Sequence, residues 1–237
     1  RIVAYYAAMA HMDEQVGVLV DAVDALPPRV RDETHIVVWS DNGFQLGPAL
    51  WAKKTMFEQA TRTVLGFIPS PNWFAAASGG GVSLEPRGTS SDAPVESVDI
   101  FPTVLDLMGM LPMATKAGSV PRLTLAGSSL VPVFRNATTL VKRAAVSQYR
   151  SWATGQLTTV MGYTLRSRNY RIIGYVPFMK SCWNPNSLRC AYTFNKQARK
   201  TKFEVYRMGP GGGEESVNIF FRTPPADVAN VQAMVRM

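Results

Sequence analysis

The first pairing in this sequence that suits chemistry is a carboxylate beside a carboxamide, in Ser40-Asp41-Asn42-Gly43. One charged and one neutral hard oxygen suit Ca²⁺ or Mg²⁺ and not a soft metal. The same four residues are also a standard turn sequence, so the tetrapeptide alone leaves both readings open. Glu58 and Arg62 stand at i and i+4, as an ion pair or a substrate contact would. Arg166, Arg168 and Arg171 cluster at Ser167-Arg168-Asn169, where a hairpin turn would gather their guanidinium forks against an oxyanion. Alternation along a strand places Arg166 and Arg168 on one face. The only cysteines are Cys182 and Cys190, whose separation is neither a zinc nor a redox spacing. It suits a local disulfide, or two buried thiols. Asn136-Ala137-Thr138 is a glycosylation sequon, meaningful if the chain is secreted. His11 and His35, the only histidines, sit in no recognisable catalytic pattern.

These residues need elements to hold them. Residues 3–26 repeat apolar positions at spacings of three and four, which predicts an amphipathic helix stopped by Pro27-Pro28. Arg31-Asp32-Glu33-Thr34 reads as a turn, and Ile36-Val37-Val38-Trp39 as a short, fully buried strand. Asp41 and Asn42 therefore fall at the carboxyl end of a strand, the edge where open α/β sheets bind ligands. Val64 to Ile68 is a second buried strand, closed by Pro69-Ser70-Pro71. Residues 72–94, rich in Gly, Ser, Ala and Pro, are expected as loop or insertion. Asp99 to Met108 reads as a helix with Ser97 as its N-cap. From about Val146 the pattern changes to short β segments: Tyr163 to Arg166, Tyr170 to Ile173 and Phe203 to Tyr206, then a glycine-rich loop at Gly209. The chain divides near residue 145 into an α/β portion and a smaller antiparallel α+β portion.

Composition narrows the classes. Hydrophobic residues make up 46% and charged residues 18%, which excludes a disordered or fibrous chain. No apolar run reaches the roughly 18–20 residues of a membrane span. The net charge of +8 is uneven: residues 135–207 hold 14 Lys/Arg against one acid, while residues 1–134 hold 9 against 13. Such a block suits a polyanionic partner or a solvated basic face. The start at Arg1-Ile2-Val3-Ala4-Tyr5-Tyr6 enters a helical pattern directly, as a chain cut from a longer one would.

Several segments in order resemble the sulfatase family of the alkaline-phosphatase-like superfamily. They are Asp13-Glu14-Gln15-Val16-Gly17, then Ser40-Asp41-Asn42-Gly43, then Trp51-Ala52-Lys53-Lys54-Thr55-Met56-Phe57-Glu58, and Val98-Asp99-Ile100-Phe101-Pro102-Thr103-Val104-Leu105. Ala126-Gly127-Ser128-Ser129-Leu130-Val131-Pro132 continues the family likeness, and Ser147-Gln148-Tyr149 and Met161-Gly162-Tyr163-Thr164-Leu165-Arg166 with Tyr170-Arg171 are similar to the iduronate-2-sulfatase branch in particular. Glu204-Val205-Tyr206, Glu215 and Asn218 continue the likeness towards the end. The resemblance covers the C-terminal half of such an enzyme, residues 1–145 as part of its α/β catalytic domain and residues 146–237 as its antiparallel subdomain.

What the resemblance implies is specific. Asp41 and Asn42 would be two Ca²⁺ ligands, and Lys53 a catalytic, sulfate-binding cation. The substrate would be a sulfated glycan, in a lysosomal or secreted protein with no specific nucleic acid partner; the basic block, not the resemblance, offers Arg166, Arg168 and Arg171 as further contacts to it. The family nucleophile is a formylglycine made within a Cys/Ser-x-Pro-x-Arg motif, and these 237 residues contain no such motif. It would lie in an N-terminal half missing here, so the chain alone is expected not to turn over. The iduronate-2-sulfatase branch usually has His at the position of Asn42, where aryl-type members have Asn. Two other readings stay open: a non-catalytic polyanion-binding protein using residues 135–207, and a phosphodiesterase of the same superfamily.

Overall fold

A computed structural model describes residues 2–46, 53, 55–79, 83–112, 124–151, 160–177, 202–209 and 219. Helix α1 (Ile2–Asp24) forms where expected, but of the expected stripe only Val16, Val20 and Val23 are half-buried, while Tyr6 and Met9 are exposed and Tyr5 is half-buried instead. Its last carbonyls are closed by Ala25 and Leu26 N–H groups, and α2 (Pro28–Arg31) starts with proline at its first position. Strand β1 (Ile36–Trp39) is where the β-branched run puts it, and it pairs antiparallel with β2 (Leu65–Ile68), Ile36 opposite Ile68 and Trp39 opposite Leu65. The expectation of full burial fails for both strands. Trp39 is 58% exposed and the other β1 residues are half-buried, because among the described residues this sheet has only two strands. Between the strands lies the single turn α3 (Glu58–Thr61).

Residues 72–94 are not all loop. Helix α4 (Pro71–Gly79) begins immediately after β2, and its start is built from the residues that read as a strand stop. Ser70 caps it, its Oγ accepting from Trp73 N–H at 3.2 Å, while Pro71 supplies a ready-made first helical residue. Trp73 and Phe67 both pack on Phe134, which ties α4 and β2 to helix α6 (Val131–Arg135).

Helix α5 (Ile100–Leu107) follows a 3-10 turn at Ser97–Asp99, and its cap differs from the expected Ser97. Glu96 and Asp99 form a reciprocal capping box instead. Asp99 is fully buried, and its carboxylate accepts from the N–H groups of Glu96 and Ser128, each at 2.8 Å, and from Lys142 Nζ at 2.7 Å. Lys142 also donates to Glu96. Burial pushes the Lys142 ammonium down, but the hydrogen bonds and charges of Asp99 and Glu96 outweigh it and hold the pKa above its ordinary value. A side chain at Gly127 would collide with the Val98 carbonyl, 2.1 Å from an ideal Cβ, so this position requires glycine. Thr103 completes the joint, donating to the Asp99 carbonyl and accepting from Leu130 N–H.

The second sheet is a four-stranded antiparallel meander: β3 (Ala145–Ser151), β4 (Val160–Arg166), β5 (Tyr170–Pro177) and β6 (Lys202–Arg207). The hairpin at Ser167 to Asn169 closes with Ser167 N–H donating to Tyr170 O at 2.9 Å. Alternation sorts β5 cleanly. Tyr170 and Ile172 join Ala144 and Val205 on one face, whereas Ile173 joins Met56, Tyr206 and Met208 on the other. Met56 comes from the segment just before α3, so this second face is what joins the two portions of the chain.

Candidate functional site

Asp41 and Asn42 follow β1 directly and are exposed. Ser40 Oγ donates to the Asn42 carbonyl at 2.9 Å, which bends the chain sharply after the strand. Gly43 then presses against α3. Its N–H donates to Ala60 O at 2.9 Å, and a Cβ there would meet Gln59 O at 2.1 Å and Arg62 O at 2.7 Å. Only glycine permits that approach, so the turn is docked on α3 by backbone contact. Phe44, the next residue, stacks on Tyr5 of α1 with ring centroids 4.6 Å apart.

Lys53 is exposed and precedes α3 in the same connection. Three residues along, Met56 is 4% exposed and seats against Gly162 of β4. Phe57 meets Tyr206 edge to face at 6.0 Å. Glu58 is buried and takes the centre of an ionic junction with the hairpin. Arg166 Nε donates to it at 2.9 Å, Arg171 Nη2 donates to the same oxygen, and Arg62 lies 3.9 Å away. Burial pushes the Glu58 carboxyl up, but hydrogen bonds and charge from Arg166 and Arg171 outweigh it, leaving the pKa below the usual carboxylate value.

The hairpin arginines differ in their partners, although Arg166, Arg168 and Arg171 all line one cavity. Arg171 is 1% exposed, donating also to Met56 O at 2.8 Å and Thr164 Oγ1 at 3.0 Å. Arg166 sits directly opposite Arg171 in the β4–β5 register, and so faces Glu58 too. Strand β4 ends at Arg166, so Arg168 lies in the turn and does not share a strand face with it. Arg168 is exposed, on the rim of a cavity of about 420 Å³ that Arg62, Trp39, Ser147 and Asp92 also line. Sequence reasoning named Glu58 and Arg62 as partners. It missed the two stronger ones, although a lone arginine in the apolar run Tyr170-Arg171-Ile172-Ile173 was the available signal.

Asp41 and Asn42 fit calcium as two donors of the six to eight oxygens that ion takes, on the chemistry of the pair. Among the described residues no three His, Cys, Asp or Glu side chains gather to complete a site. Asn136 is exposed at the end of α6, its Oδ1 accepting from Thr138 N–H and Oγ1. His35 is structural. Its Nδ1 accepts from Ser70 N–H at 3.0 Å, and burial holds its pKa below the ordinary value against the opposing charge of Glu33. Cys182, Cys190, Trp51, Lys54, Glu215 and Asn218 lie outside the described residues.

Residues 1–110 match the family described as Sulfatase. That matched segment is just under half of the chain, and it is similar to the sulfatases. Among curated relatives, a sulfatase of Formosa agariphila is 36% identical over 110 residues, 46% of this chain and 19% of that one. Iduronate 2-sulfatase of Homo sapiens is 29% identical over 216 residues, 74% of this chain and 38% of that one. The chain thus spans well under half the length of the sulfatases it matches. The solved structure of a 2-O GAG sulfatase superposes with a TM-score of 0.58 at 19% identity, over 95% of this chain and 39% of the other. A further solved chain from Bacteroides thetaiotaomicron gives 0.59 at 20% identity with the same coverage. The fold over nearly the whole chain is that of the sulfatases, and the antiparallel sheet belongs to it as much as residues 1–110 do. Among the described residues no helix is long and apolar enough to cross a membrane.

Proposed function

We propose that this chain is part of a sulfuric ester hydrolase acting on a sulfated glycan, iduronate-2-sulfatase-like, in a lysosomal or extracellular setting. Asp41 and Asn42 supply two calcium ligands, and Lys53 binds and orients the sulfate group. The nucleophile is a formylglycine from a Cys/Ser-x-Pro-x-Arg motif N-terminal to Arg1. The observation that carries the reading is the docking of two sulfatase-like segments on α3. The turn after Asp41-Asn42 is pinned to it through Gly43, and Lys53 leads into it through Met56 and Glu58.

The chemistry follows from charge. When a sulfate ester breaks, negative charge grows on its oxygens, and fixed positive charge beside them lowers the barrier. Calcium, when bound, supplies part of that charge as a Lewis acid. Lys53 supplies a further charge and up to three N–H donors from an exposed stem, with no acid paired to it among the described residues. Arg168, which lines the cavity, meets an anionic group of a longer glycan in this reading, which the basic character of residues 135–207 supports.

Calcium titration tests the ligand assignment. In the full-length polypeptide Asp41→Ala is expected to weaken calcium binding strongly, because it removes a charged hard ligand, and Asn42→Ala to weaken it less. Equal calcium affinity in wild type and the Asp41 variant would return Ser40 to Gly43 to a plain turn.

A further inference from the structure

We infer that Arg171 is a positioning residue for Lys53, acting from the antiparallel sheet through the main chain of Met56; the inference rests on the sulfate-binding role proposed for Lys53. Four observations meet here. Arg171 is almost fully buried, yet its Nη1 is aimed at a main-chain carbonyl, Met56 O, at 2.8 Å. The same guanidinium holds Glu58, so both sides of Phe57 are fixed by one side chain. The Met56 side chain is seated at Gly162, where an added Cβ would stand 3.0 Å from Met56 Cγ. Phe57 is in turn held on Tyr206. The chain leaving Lys53 is thus clamped from its third residue to its fifth by β4, β5 and β6.

A flexible lysine is a good electrostatic catalyst only if its stem starts from a fixed point. Displacement by about 1 Å of a group that meets the reacting centre can cost about 10²-fold in rate. The planar fork of Arg171 reaches a carbonyl and a hydroxyl from Nη1 and a carboxylate from Nη2, a spread of donors that one compact ammonium nitrogen does not reproduce. This gives the hairpin of the C-terminal sheet a role in the chemistry of a residue on the other portion of the chain, without any contact of its own to sulfate.

A double-mutant cycle tests it in the full-length polypeptide, with steady-state kinetics on an aryl sulfate and thermal midpoints for every variant. Arg171→Met is expected to lower kcat about tenfold or more with KM changed less than about threefold, since the loss falls on charge that develops in the transition state. Arg171→Lys should recover only part of it. In a Lys53→Ala background the same Arg171→Met change should lower kcat by less than about twofold, because its effect passes through the missing ammonium. Gly162→Ala, which pushes on Met56 and leaves the ion pairs intact, should show the same dependence on Lys53 and stands in if Arg171→Met does not fold. Equal kcat losses with and without Lys53 would overturn the inference and make Arg171 a purely structural residue. An unchanged kcat in Lys53→Ala alone would remove the underlying reading of Lys53, and the inference with it.

Discussion

Lys53→Ala is expected to lower kcat/KM for a sulfate ester by about 10²-fold or more in the full-length polypeptide. Removing one preorganised donor from a site of developing negative charge costs about 2.7–4 kcal/mol. Lys53 is exposed, so its replacement should leave the thermal midpoint almost unchanged, which separates a chemical loss from a folding loss. Steady-state kinetics together with thermal unfolding make the measurement. Near wild-type kinetics would transfer the role to the neighbouring Lys54.

The second large effect is on stability and comes from Glu58. Glu58→Ala leaves the buried guanidinium of Arg171 and the partly buried one of Arg166 without their shared carboxylate. Breaking a buried ion pair from one side costs about 3–5 kcal/mol, because the uncompensated charge stays buried. The same junction sets an acid limit. The Glu58 pKa is lowered on folding, so its stabilising contribution is complete above the ordinary 4.5 and disappears as pH falls through the lowered value. Denaturant titrations should therefore show wild type losing stability in acid below about pH 4.5 more steeply than Glu58→Gln, which has no such proton to bind. Parallel pH profiles for the two proteins would contradict that assignment.

Local signals in the sequence carried well where one period or one turn decides the outcome. The 3–4 spacing of Val16, Val20 and Val23 gives α1, the β-branched run gives β1, and Ser167-Arg168-Asn169 gives the β4–β5 hairpin. The failures have physical reasons. Pro69-Ser70-Pro71 ends a strand and starts a helix with the same residues, and only the helix-start half of its meaning was missed. Ser97 offered a capping hydroxyl, but a buried Asp99 reaching Lys142 and Ser128 from one carboxylate outcompetes it. Arg171 looked like surface charge because its direction depends on strand register, which no local pattern encodes. The Asp41-Asn42 turn was visible as a motif. Its docking on α3 was not, since the Gly43–Ala60 contact joins residues 17 apart in the chain.

The most direct test of the central claim joins these 237 residues to an N-terminal segment carrying a formylglycine-converted Cys/Ser-x-Pro-x-Arg motif and measures aryl sulfate hydrolysis with and without calcium. The expected result is turnover that calcium supports and a chelator abolishes, with none from the 237 residues alone. Turnover by the 237 residues alone, or turnover by the joined polypeptide that ignores calcium removal, would contradict the account.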